Sequence, residues 1–179
     1  ICQMEQLSIA ANYTLQFINK TNKSIFLTGK AGTGKTTLLK EIIQTTHKNT
    51  VVVAPTGIAA LNANGVTIHS MFQLPFGAFV PDNKNTADFG TYTKFESKLT
   101  LGRHFRMTNT KRAVIKNMEL LIIDEVSMLR ADILDAIDFM LKKTRRSDAP
   151  FGGVQLLFIG DLLQLPPVVK PDEWYVLKN

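Results

Sequence analysis

Gly29-Lys30-Ala31-Gly32-Thr33-Gly34-Lys35-Thr36 is the stretch on which the fold turns. Its spacing, G-x-x-x-x-G-K-[ST], is that of a loop that wraps an anion in backbone N–H groups. Glycine is needed because such a loop bends through conformations closed to most other residues. The helix that follows presents its positive end to the same anion. In that arrangement Lys35 reaches the β- and γ-phosphates of a nucleotide, and the Thr36 hydroxyl ligates Mg²⁺. Gly29, Ala31, Gly32, Thr33, Gly34 and Thr37 complete the expected nucleotide contacts.

The flanks supply the context that this loop requires. Residues 24–28 are short, apolar and β-prone, which predicts a buried strand entering the loop. Residues 35–47 place Leu38, Leu39, Ile42 and Ile43 on one helical face. Farther out, 5–20 reads as a helix, 51–53 as a second strand, 57–63 as a short helix, 119–124 as a third strand, 131–145 as a helix and 154–159 as a fourth strand. Helices alternating with near-continuous apolar strands predict an α/β fold, a parallel sheet with helices on both faces. Residues 73–110 break the pattern. They are rich in Gly, Pro, Asn and Thr, show no period, and are too many for an ordinary connection. The predicted division is a nucleotide-binding domain made of 1–72 and 111–179, with 73–110 as an inserted loop or small subdomain.

Two further stretches end strands in chemistry. Leu120-Leu121-Ile122-Ile123-Asp124-Glu125 puts two carboxylates at the carboxyl edge of the sheet, where ligands bind in open α/β folds. Asp124 is expected to hold Mg²⁺ through water, and Glu125 to orient and deprotonate an attacking water. Phe158-Ile159-Gly160-Asp161-Leu162-Leu163-Gln164-Leu165-Pro166-Pro167 ends a strand in Gly-Asp, an amide and two prolines. Gln164 suits a hydrogen bond to a γ-phosphate, and the prolines stiffen the segment behind it.

Composition narrows the classes. A chain of 179 residues is about one domain. The one cysteine, Cys2, excludes an internal disulfide or a Cys-rich metal site and fits a reducing, intracellular compartment. No apolar run approaches the roughly 20 residues that span a bilayer, so no membrane partner is expected. The chain does not begin with Met, so a processed or partial chain is expected.

The three stretches, with Val53-Ala54-Pro55-Thr56-Gly57-Ile58-Ala59-Ala60 and Thr67-Ile68-His69-Ser70 between them, resemble the first RecA-like domain of a superfamily-one helicase of the petite-integration-frequency (Pif) family. The resemblance runs from about residue 25 to 168. It implies an ATP- and Mg²⁺-dependent motor that moves five-to-three-prime along single-stranded DNA and unwinds duplex junctions, with roles in DNA repair and recombination and, in eukaryotic members, telomere maintenance. It makes Lys35, Glu125 and Gln164 the catalytic set. It places Thr56 and Gly57 in a block that contacts the single strand and His69 in the next, and it puts an adenine-reading glutamine upstream of the loop, where Gln6 stands and Gln3 and Gln16 are also near. It also implies a second RecA-like domain, absent from these residues, whose arginine points at the γ-phosphate. The polypeptide alone is therefore expected to be nearly inactive. A RecD-type motor subunit and a nucleotide switch that never translocates are the alternatives.

Charge points the same way. The net charge of +6 is concentrated. Between residues 98 and 116 stand Lys98, Arg103, Arg106, Lys111, Arg112 and Lys116 and no acidic residue. Arg103, Arg106, Lys111 and Arg112 are the expected phosphate contacts. Lys142, Lys143, Arg145 and Arg146 close a helix, where cations are expected for structural reasons. Asp132, Asp135 and Asp138 on the same helix read as its solvated face.

Overall fold

A computed structural model describes residues 9–30, 32–81, 95–104 and 107–177, with backbone alone at Phe95, Arg103, His104, Asp172, Tyr175 and Val176. In chain order the elements are α1 (Ile9–Lys20), β1 (Ile25–Thr28), α2 (Lys35–Thr45), β2 (Thr50–Ala54), α3 (Gly57–Asn62), β3 (Val66–Thr67), α4 (Ile68–Phe72), β4 (Ala78–Val80), β5 (Phe95–Ser97), α5 (Lys98–His104), α6 (Asn109–Asn117), β6 (Leu120–Ile123), α7 (Ala131–Arg145), β7 (Gln155–Gly160) and α8 (Pro171–Leu177). Short 3₁₀ turns cover Val126–Met128 and Pro150–Gly153.

Five strands form one parallel sheet in the order β1-β7-β6-β2-β3. The strands are apolar because both faces are covered. In β6, Leu120 and Ile122 pack with Ile18 of α1 and with Leu39 and Ile42 of α2. Leu121 and Ile123 point the other way, to Ile137 and Met140 of α7, Ile115 of α6 and Phe72 of α4. All four β6 side chains are 0% exposed. At about 1.5–3 kcal/mol for each buried side chain, this short strand is a firm anchor for the carboxylates that follow it.

The amino edge of the sheet is closed by a polar knot. Lys48 Nζ donates to Thr21 O (2.7 Å), Asn22 Oδ1 (3.1 Å) and Gln155 Oε1 (2.7 Å), and Gln155 Nε2 donates to Lys23 O (2.8 Å). The opposite edge carries the loops that contain the chemistry.

Within 73–110, β4 pairs in parallel with β5, Ala78 opposite Phe95 and Val80 opposite Ser97. Leu74, Phe79, Leu101 and Met107 are buried in the same cluster as α7. The described part of this segment is thus packed on the main body. Phe79 covers the core while Phe76 is exposed.

Helix α7 departs from its expected polarity. Asp132 is not on a solvated face. It is 7% exposed, because Arg130 donates to both its oxygens and the Phe79 N–H donates to one. Asp138 is half-buried, paired to Lys142 at 2.7 Å and accepting from Phe151 N, while Asp135 is exposed. The basic end of α7 is structural at Arg145, which donates to the carbonyls of Ile115, Lys116, Met118 and Gly152.

Candidate nucleotide and nucleic-acid site

The phosphate loop follows β1 directly. Gly32 (φ 79°) and Gly34 (φ 86°) occupy the left-handed region, where a side chain is strained by about 1–2 kcal/mol. Gly34 caps α2, and the first intrahelical bond runs from Leu38 N to Gly34 O (2.9 Å). Thr33 Oγ1 closes the loop on Lys30 O at 2.8 Å. Lys35 Nζ lies inside it, donating to Gly29 O and to Lys30 O (2.8 Å). These carbonyls occupy ammonium donors that phosphate oxygens would take. Thr36 and Thr37 lie exposed at the start of α2.

β7 lies between β1 and β6, so the loop and the carboxylates flank the exit of β7. Asp124 N donates to Val53 O (2.9 Å), continuing the sheet one residue beyond β6. Burial pushes the Asp124 carboxyl above the usual carboxylate range. The Glu125 N–H, which donates to Asp124 Oδ1 at 2.9 Å, and the nearby Lys35 charge oppose that shift. Glu125 has φ 52° and ψ 46°, a left-handed backbone unusual for a residue other than glycine. The turn behind it packs tightly against β7. A Cβ on Gly160 would approach Val126 N to 3.0 Å and Val126 Cγ1 to 2.8 Å.

Beyond Gly160, Asp161 organises the next turn, accepting from Leu163 N (3.1 Å) and Gln164 N (3.0 Å, through its carbonyl). The Gln164 amide reaches Asp161 Oδ2 at 3.4 Å and is exposed. Glu125 and Gln164 line one cleft of about 470 Å³ with Ser127, Met128, Leu163 and Pro166. Loop, carboxylates and Gln164 thus stand side by side along one edge.

Among the described residues no three His, Cys, Asp or Glu side chains form a metal cage. Mg²⁺ needs none, since it keeps waters and takes one or two protein ligands beside substrate phosphates. An exposed Thr36 hydroxyl and the Asp124 carboxyl near Lys35 fit that donor set.

The other half of the edge follows β2 and β3, which pair Ala54 with Thr67. Thr56 caps α3, accepting from Ala59 N at 3.2 Å, and Gly57 begins that helix. Thr67 caps α4 in the same way, accepting from Ser70 N at 3.2 Å. His69 is half-buried on α4, its ring stacked on Phe76 with centroids 5.1 Å apart and planes at 16°. Its pKa is lowered, first by burial and then by the Arg130 charge, against a smaller pull from Asp132. His69 therefore stands as a neutral ring at pH 7. Lys111 Nζ of α6 donates to Ser70 O at 2.5 Å, which brings α6 against α4. A cleft of about 400 Å³ between them is lined by His69, Ser70, Gln73, Leu74, Glu96 and Lys111. Arg112 is exposed on α6.

Gln6, Ala31 and Arg106 lie outside the described residues, and Arg103 has only its backbone described. The sequence reading missed Phe76 as the partner of His69, and Arg130, whose two-residue spacing to Asp132 was a signal open to notice. A third cleft, of about 490 Å³ beside α7, holds Lys98, Lys142, Lys143 and Arg146 but also Asp135 and Asp138. There Lys142 is paired with Asp138, and Lys143 Nζ donates to Gly102 O (2.8 Å) and sits 5.6 Å from the Phe139 ring centre. Its charge is largely self-compensated.

Comparison with known proteins finds relatives that cover most of this chain. A family model described as PIF1-like helicase matches residues 2–174. The ATP-dependent DNA helicase PIF1 of Saccharomyces cerevisiae (strain YJM789) is 42% identical over 153 residues, 82% of this chain and 16% of that protein. The human ATP-dependent DNA helicase PIF1 is 36% identical over 149 residues, 83% of this chain and 20% of that protein. The chain thus spans about a fifth or less of these relatives. Among solved structures, the Pif1 helicase from Bacteroides in complex with ADP-AlF3 and ssDNA superposes with TM-score 0.82 at 44% identity, covering 97% of this chain and 36% of that one. The Pif1 helicase from Candida albicans gives 0.71 at 35% identity, covering 93% and 35%.

Proposed function

Because the chain belongs to the PIF1-like helicase family, we propose that it is the nucleotide-binding motor domain of an ATP-dependent DNA helicase. The observation that carries this reading is the order of groups along one sheet edge. Phosphate loop, Asp124–Glu125 and Gln164 follow β1, β6 and β7, and Thr56 and His69 follow β2 and β3. One rigid sheet then holds a nucleotide at one end and a strand of DNA at the other. Relatives described as complexes with ADP-AlF3 and ssDNA, and one concerned with unwinding at forked dsDNA, support the same ligands.

In this reading Lys35 exchanges the Gly29 and Lys30 carbonyls for β- and γ-phosphate oxygens. Thr36, and Asp124 through water, would hold Mg²⁺, which would supply positive charge to the transferred phosphoryl group. Glu125 accepts the proton of the attacking water. Gln164 trades its long bond to Asp161 for the γ-phosphate and so registers its presence. The Thr56 cap engages an oxygen lone pair and leaves a hydroxyl proton for a phosphate. His69 offers a neutral ring, and Lys111, Arg112, Arg103 and Arg106 supply the positive field. The second RecA-like domain is the proposed partner that closes on this edge. The single cysteine suits a reducing, intracellular setting.

Single-strand binding tests the reading. Oligothymidine affinity should fall about 10²–10³-fold between 50 and 200 mM salt if some six phosphates are neutralised. Neutralising Arg103, Arg106, Lys111 and Arg112 together should flatten that slope, by about 0.7 for each phosphate that is no longer neutralised. A slope unchanged by the fourfold variant contradicts the assignment of the basic segment.

A further inference from the structure

Arg130 belongs to neither ligand set above, yet its guanidinium joins three elements. Nε and Nη2 grip both oxygens of Asp132 at 2.9 and 2.7 Å, and Nη1 reaches Glu173 Oε2 at 2.9 Å. Asp132 also holds backbone from the strand β4, and Glu173 holds the backbone that leads into its own helix, α8. Phe79 N donates to Asp132 Oδ2 (3.0 Å), and Lys170 N donates to Glu173 Oε2 (3.1 Å). The Arg130 side chain is 15% exposed, and Asp132 and Glu173 are buried.

The connections lead to every part of the site. Arg130 follows Glu125 through the Val126–Met128 turn. Lys170 follows Gln164 through Pro166 and Pro167. Phe79 follows Phe76, whose ring lies on His69. The Arg130 charge is also felt at His69, where it lowers the ring's pKa. A buried ionic triad is a poor choice as mere glue, because apolar side chains of similar volume hold such a junction equally well. Its distinguishing property is that one guanidinium bonds carboxylates of two helices, α7 and α8.

We infer that Arg130 is a positioning residue that couples the nucleotide end of the sheet edge to the DNA end, through Glu173 on the Gln164 side and through Asp132 and Phe79 on the His69 side. The inference rests on the motor reading. When Gln164 engages a γ-phosphate, the stiff 164–170 segment moves Glu173. Arg130 follows, and Asp132 carries the shift to the strand that holds Phe76 against His69.

The test is a linkage measurement, since coupling is reciprocal and is read as a ratio of affinities. Affinity for a labelled oligothymidine is measured with and without a non-hydrolysable ATP analogue and Mg²⁺, in the 179-residue chain and in Glu173→Ala and Arg130→Gln. Glu173→Ala leaves Arg130 paired with Asp132, so no charge is stranded and the fold is retained. Wild type should show a shift of about fivefold or more. In Glu173→Ala the shift should fall below about twofold while each ligand's separate affinity stays within about twofold of wild type. Arg130→Gln, if folded, should lose the shift too and raise the His69 pKa. Full coupling retained in Glu173→Ala overturns the inference, as does a wild type that binds both ligands without coupling. A wild type that binds neither ligand overturns the motor reading itself, a different result.

Discussion

Asp124 shows how the site is held at a cost to the fold. Burial raises its pKa, so its ionised form is disfavoured in the folded chain. A carboxyl raised in this way stabilises the fold only while protonated. Its stabilising contribution is complete below the unfolded value of about 3.9 and is lost as pH rises through the folded one. Asp124→Asn should therefore unfold at a higher temperature than wild type at pH 7, and the advantage should vanish by about pH 4. Thermal scans at the two pH values check this. An Asn variant less stable than wild type at pH 7 would contradict it. His69 follows the opposite rule. Burial and the Arg130 charge lower its pKa, so its contribution to stability begins to fall as pH drops below the unfolded value of about 6.5 and is fully lost below the lowered folded one.

At the scale of elements, Arg145 stands at the end of α7 but serves the end of a neighbouring helix and a turn. It caps the last carbonyls of α6, those of Ile115 and Lys116, and holds the Gly152 carbonyl of the turn after α7. Arg145→Met removes charge-assisted bonds worth about 1.5–3 kcal/mol each and leaves carbonyls unpaired. The unfolding temperature should fall by at least about 5 °C, while nucleotide affinity in the folded chain stays near wild type. A change in nucleotide affinity with unchanged stability would contradict a structural role. The elements also differ in how legible they were. β2, β6 and β7 announce themselves because strands buried on both faces must be apolar along their whole length. The α6 helix was missed because a single residue, Ile115, turns into the core, while Ala113 and Val114 stand exposed among polar residues. β4 and β5 pair in parallel across fourteen intervening residues, a contact with no local signature. Asp132 looked solvated because its i, i+3 spacing with Asp135 and Asp138 leaves out Arg130, two residues before it and just outside the helix. The loop, Asp124–Glu125 and Gln164 were legible, because backbone turns and strand exits fix them. Phe76 on His69 and the Arg130 triad were not, because tertiary packing makes them.

The whole molecule divides along its sheet edge, nucleotide groups on one side and proposed DNA groups on the other. Arg130 and Arg145 are tied to carboxylates and carbonyls of the body. In the motor reading the arginine that completes phosphoryl transfer comes from a second domain, and such a group is worth about 10³–10⁵ in rate. These 179 residues alone should therefore turn over ATP well below about 1 s⁻¹ even with saturating oligothymidine. Faster steady-state hydrolysis would mean that an arginine of this chain, or of a second copy, reaches the site.

A motor of this kind requires the loop after β1 to be a nucleotide cradle and not merely a glycine-rich turn. Binding of a fluorescent ATP analogue with Mg²⁺ to wild type and to Lys35→Ala tests that requirement most directly. A cradle should bind at least about tenfold more weakly in Lys35→Ala, with an unfolding temperature within about 2 °C of wild type, because the Lys35 ammonium bonds two carbonyls of its own loop and not the core. Equal affinity in the two proteins would contradict it.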